Sequence, residues 1–399
     1  MVSLLLLLAL FGHVFLWIGM VNRVHALAVP YKVGHAFSLS SLFCAIALPM
    51  AFAGWLHSTD FALVNRFDWR QLGRVGPLLW SVYLPVCWVS AAVTLSGWVW
   101  RIALRRPTHL LRFARTRRIE LAGDSCAVSS REQAHHFLVH LPGNQILKLD
   151  VTERAIDVPR LAPALDTLSI MHLSDFHFTG LVGKSFFREV VRRSNEMQPD
   201  LLVITGDVID HSDCIDWIPE TLGKLQSRYG VYYVLGNHDI RHDVDRLRKV
   251  LSDSGLVDLG GRWVEIEVGG EPIVLAGNEL PWIAPAADMR GCPRRTPGGG
   301  PLRIVLAHSP DQLHWAQAQD ADLLLAGHTH GGQIRLPLIG AVVSASRLGV
   351  NYDSGIFYAP PTIMHISRGV SGELPVRLNC PPEVTRLVLR SPEPPIGNV

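Results

Sequence analysis

Two histidines stand two residues apart in the stretch Ala326-Gly-His-Thr-His-Gly-Gly-Gln333. An apolar run precedes this stretch, so we predict that the stretch lies at the end of a β-strand. In an extended segment the side chains of His328 and His330 project to the same side. The glycines around them permit a tight backbone and the close approach of a metal or an anion. The pair fits a metal site, but by itself it also fits two hydrogen-bonded histidines at the surface.

Four more polar clusters follow apolar runs earlier in the chain. They are Ser174-Asp-Phe-His177, Gly206-Asp-Val-Ile-Asp210, Gly236-Asn-His-Asp239 and His308-Ser-Pro310. Ligands of layered α/β domains gather beyond the carboxyl ends of strands, so neighbouring strands would place all five clusters around one crevice. The alternative is a set of unrelated turns, because Gly, Asp and Asn are common turn residues. Repetition of the pattern after five apolar runs favours the shared crevice.

The side chains of these clusters form a mixed oxygen and nitrogen ligand set. The candidates are two aspartates, one asparagine and four histidines: Asp175, His177, Asp207, Asn237, His308, His328 and His330. A single tetrahedral zinc needs only four ligands, so seven candidates indicate two divalent cations that share a carboxylate. The absence of cysteine from the set favours Mn, Fe, Zn or a mixed pair. Two such ions can generate a bound hydroxide near neutral pH and hold a phosphoryl oxygen for in-line attack.

The elements that must position these residues alternate between short apolar runs and amphipathic segments. We predict strands at 168–173, 201–205, 231–235, 273–276, 303–307 and 323–326, and helices at 184–197 and 241–254. Apolar runs buried on both faces and separated by helices indicate a layered α/β domain.

From Ser169 to about Arg390 the sequence resembles the calcineurin-like metallophosphoesterases. The resemblance rests on the five clusters quoted above, and Phe176 stands where leucine is frequent in that family. It implies a fold of two packed mixed β-sheets flanked by helices. It also implies roles for the candidates: Asp175, His177 and His330 hold the first metal, Asn237, His308 and His328 hold the second, and Asp207 bridges them. His238 would protonate the leaving oxygen, and Asp239 would orient His238.

Three long apolar runs in the first third of the chain predict a membrane region, residues 1–103, that crosses the membrane three times. Apolar runs at 3–21, 37–56 and 78–100 are each long enough to cross most of a ~30 Å hydrocarbon layer. The alternative for the first run is a cleaved signal peptide, since Ala26-Leu-Ala28 resembles a cleavage site; the absence of a preceding basic residue argues against it.

Basic residues near the ends of these runs predict the orientation. Seven arginines follow the third run before the first acidic residue, Glu120: Arg101, Arg105, Arg106, Arg112, Arg115, Arg117 and Arg118. The loop between the second and third runs carries only Arg66, Arg70 and Arg74. The positive-inside rule therefore places the arginine-rich flank and the C-terminal part in the cytoplasm. The arginines could also contact anionic lipid headgroups.

Three further regions complete the predicted organisation. Residues 104–165 form a basic juxtamembrane segment with short strands, including a pair at 137–141 and 146–151 joined by a turn. Residues 166–392 form the metallophosphoesterase domain, and 393–399 form a tail. Residues 279–302 form an irregular insertion whose Arg290, Arg294 and Arg295 could clamp a second phosphate, although a solvated loop fits equally.

The C-terminal motifs Ser367-Arg-Gly369, Pro375-Val-Arg377 and Cys380-Pro-Pro-Glu383 resemble the membrane-linked bacterial branch of the family. The leading hypothesis is a hydrolase of phosphoester or pyrophosphate bonds in a bacterial inner or plasma membrane, with a lipid-linked compound as one candidate substrate. Alternatives are an enzyme that resembles UDP-2,3-diacylglucosamine pyrophosphatase, a nucleotide phosphodiesterase, and a metal-binding scaffold. The net charge of only +2 argues against nucleic acid as a partner.

Overall fold

The chain forms two compact units, Met1–Arg106 and Pro107–Val399. The structure is a computed structural model that describes residues 2–58, 78–101, 108–121, 136–293 and 300–392. Several positions singled out in the sequence lie outside the described residues. They are Arg66, Arg70, Arg74, Arg105, Arg106, Arg294, Arg295 and the tail 393–399.

The N-terminal unit consists of three long apolar helices: α1 (Val2–His25), α2 (Tyr31–Ser58) and α3 (Leu78–Val99). All three are long and apolar enough to cross a membrane. Helices α1 and α3 approach closely at Gly12, where a Cβ atom would lie 1.7 Å from the carbonyl oxygen of Cys87. Small residues permit such close backbone contacts between membrane helices. The ring of His13 joins the helices, with Nδ1 2.7 Å from the Tyr83 hydroxyl and Nε2 3.0 Å from the carbonyl of Ala45.

The C-terminal unit contains three α-helices and fifteen strands within its described residues. The helices are α4 (Lys184–Glu196), α5 (Val244–Asp253) and α6 (Leu313–Ala318). The strands are β1 (Leu111–Glu120), β2 (Lys148–Asp157), β3 (Ser169–Leu173), β4 (Leu201–Thr205), β5 (Val231–Val234), β6 (Val257–Asp258), β7 (Trp263–Val268), β8 (Glu271–Asn278), β9 (Leu302–Ala307), β10 (Leu323–Ala326), β11 (Arg335–Leu336), β12 (Gly340–Ala341), β13 (Gly355–Ala359), β14 (Thr362–Ile366) and β15 (Glu383–Arg390).

Most of these strands form two mixed sheets. The first has the order β1-β2-β15-β3-β4-β5-β6, and the second has the order β13-β14-β10-β9-β8-β7. Strands β3, β4 and β5 run parallel at the centre of the first sheet, and β8, β9, β10 and β14 run parallel in the second. The two sheets flanked by helices confirm the predicted fold class.

A continuous apolar layer holds the two sheets together. Ile170 and Val203 of the first sheet share a buried cluster with Ile304 and Leu325 of the second. On the opposite face of the first sheet, α4 buries Phe186, Phe187, Val190 and Val191. The central strands are therefore covered on both faces, which explains why they are apolar runs without polar alternation.

One predicted strand, at 137–141, is wrong. Residues His136–His140 form a 3₁₀-helix instead. The side-chain amide of Asn144 donates to the carbonyls of Leu138 and Val139, at 2.8 and 3.3 Å. These local hydrogen bonds occupy carbonyls that a strand ladder would need, so they favour the turn. Strand β2 instead pairs with β1 on one side and β15 on the other.

A pair of histidines lies buried between the two sheets. Nδ1 of His172, on β3, lies 2.7 Å from Nδ1 of His365, on β14, and Nε2 of His172 lies 2.9 Å from the hydroxyl of Thr205. Burial disfavours the charged imidazolium, so it lowers the pKa of His172 to about 3 and the pKa of His365 well below its ordinary value. Both rings are therefore neutral at physiological pH.

This pair predicts a loss of stability in mild acid. Below pH ~6.5 the unfolded chain binds protons that the folded chain excludes, so the free energy of unfolding falls by ~1.4 kcal/mol per pH unit for each histidine. Above pH ~6.5 the contribution is fully present. Hydrogen exchange of the β3 and β14 amides, corrected for its intrinsic pH dependence, measures the effect in the full-length protein. The slope of the free energy of unfolding against pH should be smaller in His365→Leu than in the wild type. It should be unchanged in the control His314→Leu, which replaces an exposed residue of α6. Equal slopes in the wild type and His365→Leu would contradict the prediction.

Candidate metal centre

All seven candidate ligands lie just beyond the carboxyl ends of strands. Asp175 and His177 follow β3, Asp207 follows β4, Asn237 follows β5, His308 follows β9, and His328 and His330 follow β10. Parallel pairing brings the ends of β3, β4 and β5 to one edge of the first sheet, and the ends of β9 and β10 to one edge of the second. The packed sheets thus bring both edges together around one crevice.

The backbone at the crevice is strained. Asp175, His177, Asp207, His328 and His330 all have φ between +43° and +69°, in the left-handed region. Residues other than glycine rarely adopt this conformation, and those that do cluster at functional sites. The strain turns these side chains away from the ordinary strand direction and into the crevice.

Two glycines permit the backbone to approach these side chains. A Cβ atom at Gly236 would lie 2.2 Å from Oδ1 of Asp207, and one at Gly327 would lie 2.4 Å from Oδ2 of Asp175. Neither glycine has a positive φ, so steric space alone requires glycine here. This contact explains the glycine that precedes each ligand in Gly236-Asn and Gly327-His.

The first group of side chains contains Asp175, His177, Asp207 and His330, whose donor atoms lie within 4.8 Å of one another. Nε2 of His177 lies 3.1 Å from Nε2 of His330 and 3.5 Å from Oδ2 of Asp207. Nε2 of His330 lies 3.5 Å from Oδ1 of Asp175. Two carboxylates and two imidazoles therefore converge on one point.

The second group shares Asp207 with the first. Asp207, His308 and His328 lie within the same 4.8 Å limit. Nε2 of His308 lies 3.1 Å from Oδ2 of Asp207, 3.0 Å from Oδ1 of Asn237 and 3.1 Å from Nδ1 of His328. Oδ2 of Asp207 thus lies within 3.5 Å of an imidazole nitrogen of each group.

Buried carboxylates and imidazoles set one another's protonation in the crevice. Burial opposes ionisation of Asp207, but the neighbouring imidazoles of His308 and His238 outweigh it and hold the pKa of Asp207 well below its usual range. Burial also disfavours imidazolium at His177 and His308. Nearby carboxylates, Asp210 at His177 and Asp207 at His308, nevertheless raise the pKa of both rings to about 9. The crevice therefore retains protons above neutral pH, and divalent cations would displace them.

One orphaned atom tests whether these residues fit a metal. Oδ2 of Asp207 is fully buried and accepts no hydrogen bond of regular geometry from any residue in the described ranges. A buried carboxylate oxygen without a regular hydrogen bond is costly unless a charged group is its partner. Nε2 of His308 lies 3.1 Å away and takes that place here, and a divalent cation would displace its proton. His330 is also in the neutral form that ligates metals, because burial and the charges of His177 and Arg377 hold its pKa well below its ordinary value. The donor set therefore fits divalent cations.

His238 lies beside the shared carboxylate without belonging to either group around it. Its Nδ1 is hydrogen-bonded to Oδ1 of Asp210, and its Nε2 lies 4.0 Å from Oδ2 of Asp207. Oδ2 of Asp210 also lies 2.8 Å from Nδ1 of His177. A single carboxylate therefore orients two rings of the site.

The carboxylate of Asp239 binds the backbone and not an imidazole ring. It accepts hydrogen bonds from the backbone amides of Asp207, Val208, Ile209 and Gly236, at 2.8 to 3.1 Å. Burial and the charge of Asp207 raise the pKa of Asp239 to about 6. The side chain of Asp239 fixes the turn after β4. The resemblance implied that Asp239 orients His238, whereas in this structure Asp210 contacts the ring of His238. Asp210 is the last residue of the Gly206–Asp210 motif. Its place in that motif was the feature of the sequence that could have identified it as a residue of the site.

The segment after β14 also builds the site. Backbone amides of Val370 and Ser371 donate to the carbonyls of Ser174 and Asp175, at 2.9 and 2.8 Å. The fully buried guanidinium of Arg377 donates to the carbonyl of Ser371, and its Nη2 lies 3.2 Å from Nδ1 of His330. In the sequence, Arg377 stands out only as part of the Pro375–Arg377 motif. Its position behind His330 depends on the tertiary structure.

The insertion at 279–302 reaches the crevice through an aromatic side chain. The ring of Trp282 contacts His328 and His308 edge-on, with centroid distances of 4.9 and 5.5 Å. Arg290 is exposed and pairs with Asp288 through the guanidinium and carboxylate. Within the described part of this insertion, Trp282 therefore forms a wall of the site, and Arg290 does not.

Comparison with known proteins is consistent with this geometry. The family described as calcineurin-like phosphoesterase matches residues 168–332. A metallophosphoesterase of Bacillus subtilis, YkoQ, is 30% identical over 239 residues, which cover 58% of this chain and 87% of that protein. Phosphodiesterase YaeI of Escherichia coli is 29% identical and covers 55% of this chain and 81% of its own length.

A third relative has a name that refers both to a transmembrane protein and to a metallophosphoesterase domain. It is a protein of Bos taurus described as a transmembrane protein with metallophosphoesterase domain. It is 30% identical over 319 residues, which cover 67% of this chain and 70% of that protein.

Proposed function

Since the chain belongs to the calcineurin-like phosphoesterase family and is a metal-dependent phosphoesterase, we propose that its crevice holds two divalent cations. Asp175, His177 and His330 would hold the first ion, Asn237, His308 and His328 the second, and Asp207 both. The observation that carries this proposal is the position of Oδ2 of Asp207 between the two groups, buried and without a regular hydrogen bond from the described residues. Hard and borderline ions such as Mn, Fe or Zn suit this donor set.

The ions would supply a nucleophile from water at neutral pH and charge stabilisation for the phosphoryl group. Around them, His238 would donate a proton from Nε2 to the leaving oxygen. Asp210 would hold that ring through Nδ1 and so stabilise the protonated form. Asp239 would act on the backbone, because its carboxylate fixes the Asp207–Ile209 turn.

We propose a phosphoester or pyrophosphate as the substrate. The three apolar helices would anchor the enzyme in a membrane, and the arginine-rich flank after α3 would place the catalytic domain in the cytoplasm. Anchoring would raise the rate of encounter with a substrate in the same bilayer, which is the argument for a lipid-linked compound.

Replacement of His238 tests the reaction. We expect His238→Ala in the full-length protein to lower kcat for a chromogenic phosphodiester by ~10² to 10⁴-fold while metal content stays unchanged, because His238 donates a proton and holds no ion. Elemental analysis measures the metal, and steady-state kinetics with added Mn²⁺ measure kcat. Removal of the ions with a chelator should abolish activity, and readdition should restore it.

A matched control is His314→Ala, which changes an exposed histidine on α6 and should leave both quantities unchanged. Full activity of His238→Ala would contradict the assigned proton donor. Failure of the wild type to hydrolyse any ester with any divalent metal would contradict the proposed hydrolytic function and favour a metal-binding scaffold.

A further inference from the structure

A cavity lies among the three helices of the N-terminal unit. Its volume is about 250 Å³, it is partly open, and side chains of α1, α2 and α3 all line it. Leu6, Leu10, Phe52, Leu56 and Leu84 form apolar walls. An engineered cavity of ~150 Å³ with a similar lining stays dry and binds benzene, so this larger cavity has room for a longer apolar group.

A proline in α2 determines the polar contacts at the cavity. Pro49 has no N–H, so the carbonyl of Ala45, four residues earlier, loses its helical partner. Nε2 of His13 lies 3.0 Å from that carbonyl oxygen and must donate to it. In a neutral ring, Nδ1 then keeps a lone pair and accepts from the Tyr83 hydroxyl at 2.7 Å, and that hydroxyl accepts from Nε1 of Trp17 at 3.0 Å. The polar atoms of His13 and Tyr83 are therefore occupied within the protein.

One polar group at the cavity has no such partner. Trp80 lines the cavity and is only 4% exposed, and its buried Nε1 has no hydrogen-bond acceptor within the part of the chain that the structure describes. The indoles of Trp17 and Trp88 in the same unit both donate hydrogen bonds, at 3.0 and 2.8 Å. A buried N–H without an acceptor is costly, and the hydrocarbon of a bilayer holds no water to serve as one. An oxygen atom of a ligand in the cavity would suit this N–H.

We propose that the cavity binds a lipid-soluble molecule with a hydrocarbon tail and a carbonyl group, whose oxygen accepts a hydrogen bond from Nε1 of Trp80. The described lining contains no aspartate, glutamate, lysine or arginine, so a charged head group would have no ion partner there. Because the cavity is partly open, the remainder of a long tail would extend into the hydrocarbon of the proposed membrane. Two membrane components carry this chemistry: the ester of an acyl chain, and a quinone with an isoprenoid tail. The site belongs to the N-terminal unit, so it stands independently of the reaction proposed for the crevice.

Photo-cross-linking to the full-length wild-type protein in detergent tests the location of the ligand. The probe is methyl palmitate with a diazirine on its chain, and mass spectrometry of the peptides identifies the labelled residues. We expect labels on residues that line the cavity, such as Phe52, Leu56 and Leu84. Competition by unlabelled methyl palmitate, decylubiquinone or hexadecane then gives three relative affinities. The carbonyl compound that competes better identifies the source of the ligand, and hexadecane is the control without an acceptor.

Two substitutions test the cavity and the hydrogen bond separately. Ala53→Phe adds a ring at a small residue of the lining, so the affinity for all three compounds should fall by ~10-fold. Trp80→Phe removes the N–H and keeps an aromatic ring, so the affinity for the better carbonyl compound should fall by ~2 to 10-fold more than the affinity for hexadecane. The control Val93→Phe adds a ring at a position of α3 that is 67% exposed and outside the lining, and it should change none of the affinities.

Three outcomes would overturn the proposal. Labels spread over the exposed faces of the wild-type helices would mean that the probe binds only to their outer surface, and this result does not depend on the folding of any variant. Equal effects of Ala53→Phe and Val93→Phe would place the probe outside the cavity. Equal losses for hexadecane and both carbonyl compounds in Trp80→Phe would mean that the indole only packs against the probe and donates no hydrogen bond to it.

Discussion

Gly236→Ala should remove bound metal and lower kcat/KM by ~10²-fold or more. The new Cβ atom would lie 2.2 Å from Oδ1 and 2.7 Å from the backbone nitrogen of Asp207, and both groups are fixed by hydrogen bonds. Asp207 would have to move, and a displacement of ~1 Å at such a centre costs about this factor in rate. Elemental analysis and steady-state kinetics of the full-length protein measure the two effects.

Gly291→Ala provides the matched control. Among the described residues, a Cβ atom at Gly291 would meet only Trp263, at an ordinary 3.8 Å, so both metal content and rate should stay at the wild-type level. Retention of metal and activity in Gly236→Ala would mean that Asp207 is not the shared ligand.

Asp210→Asn should lower kcat by ~10² to 10⁴-fold at saturating metal. The carboxylate of Asp210 contacts Nδ1 of His238, and an amide in its place can neither stabilise the imidazolium nor fix its tautomer. The other carboxylate oxygen of Asp210, Oδ2, contacts His177, so metal affinity should fall as well, by ~10 to 100-fold as for other partners of metal-bound histidines. Titration with Mn²⁺ separates the loss of affinity from the loss of kcat.

Asp239→Asn distinguishes the two aspartates. Asp239 accepts four backbone N–H groups, and an asparagine side chain has only one oxygen to accept them. We therefore expect lower stability, by ~1 to 3 kcal/mol for each amide left without a partner. A folded, metal-saturated Asp239→Asn protein with a large loss of kcat, together with an active Asp210→Asn protein, would return the orienting role to Asp239.

The strands and their polar ends could be predicted because both depend on neighbouring residues. A run such as 201–205 is apolar because both of its faces are buried, and the residues after it are polar because the strand ends there. The same local reasoning predicted a helix at 184–197, and α4 occupies that range with Phe186, Phe187, Val190 and Val191 buried. It failed at 137–141, where the side chain of Asn144 competes for the carbonyls that a strand needs.

The arrangement of the site depends on contacts between distant residues, which one sequence does not specify. Asp239 is adjacent to His238 in the chain, yet Asp210, 28 residues earlier, touches the ring. His308 reaches Asp207 only because the second sheet packs on the first, and Arg377 reaches His330 across 47 residues. The sequence by itself indicated which side chains are candidates to bind cations and about where the strands before the five polar clusters end, because composition and periodicity are local. Only the tertiary structure decided which carboxylate serves which imidazole, because sheet packing and strained turns set those distances.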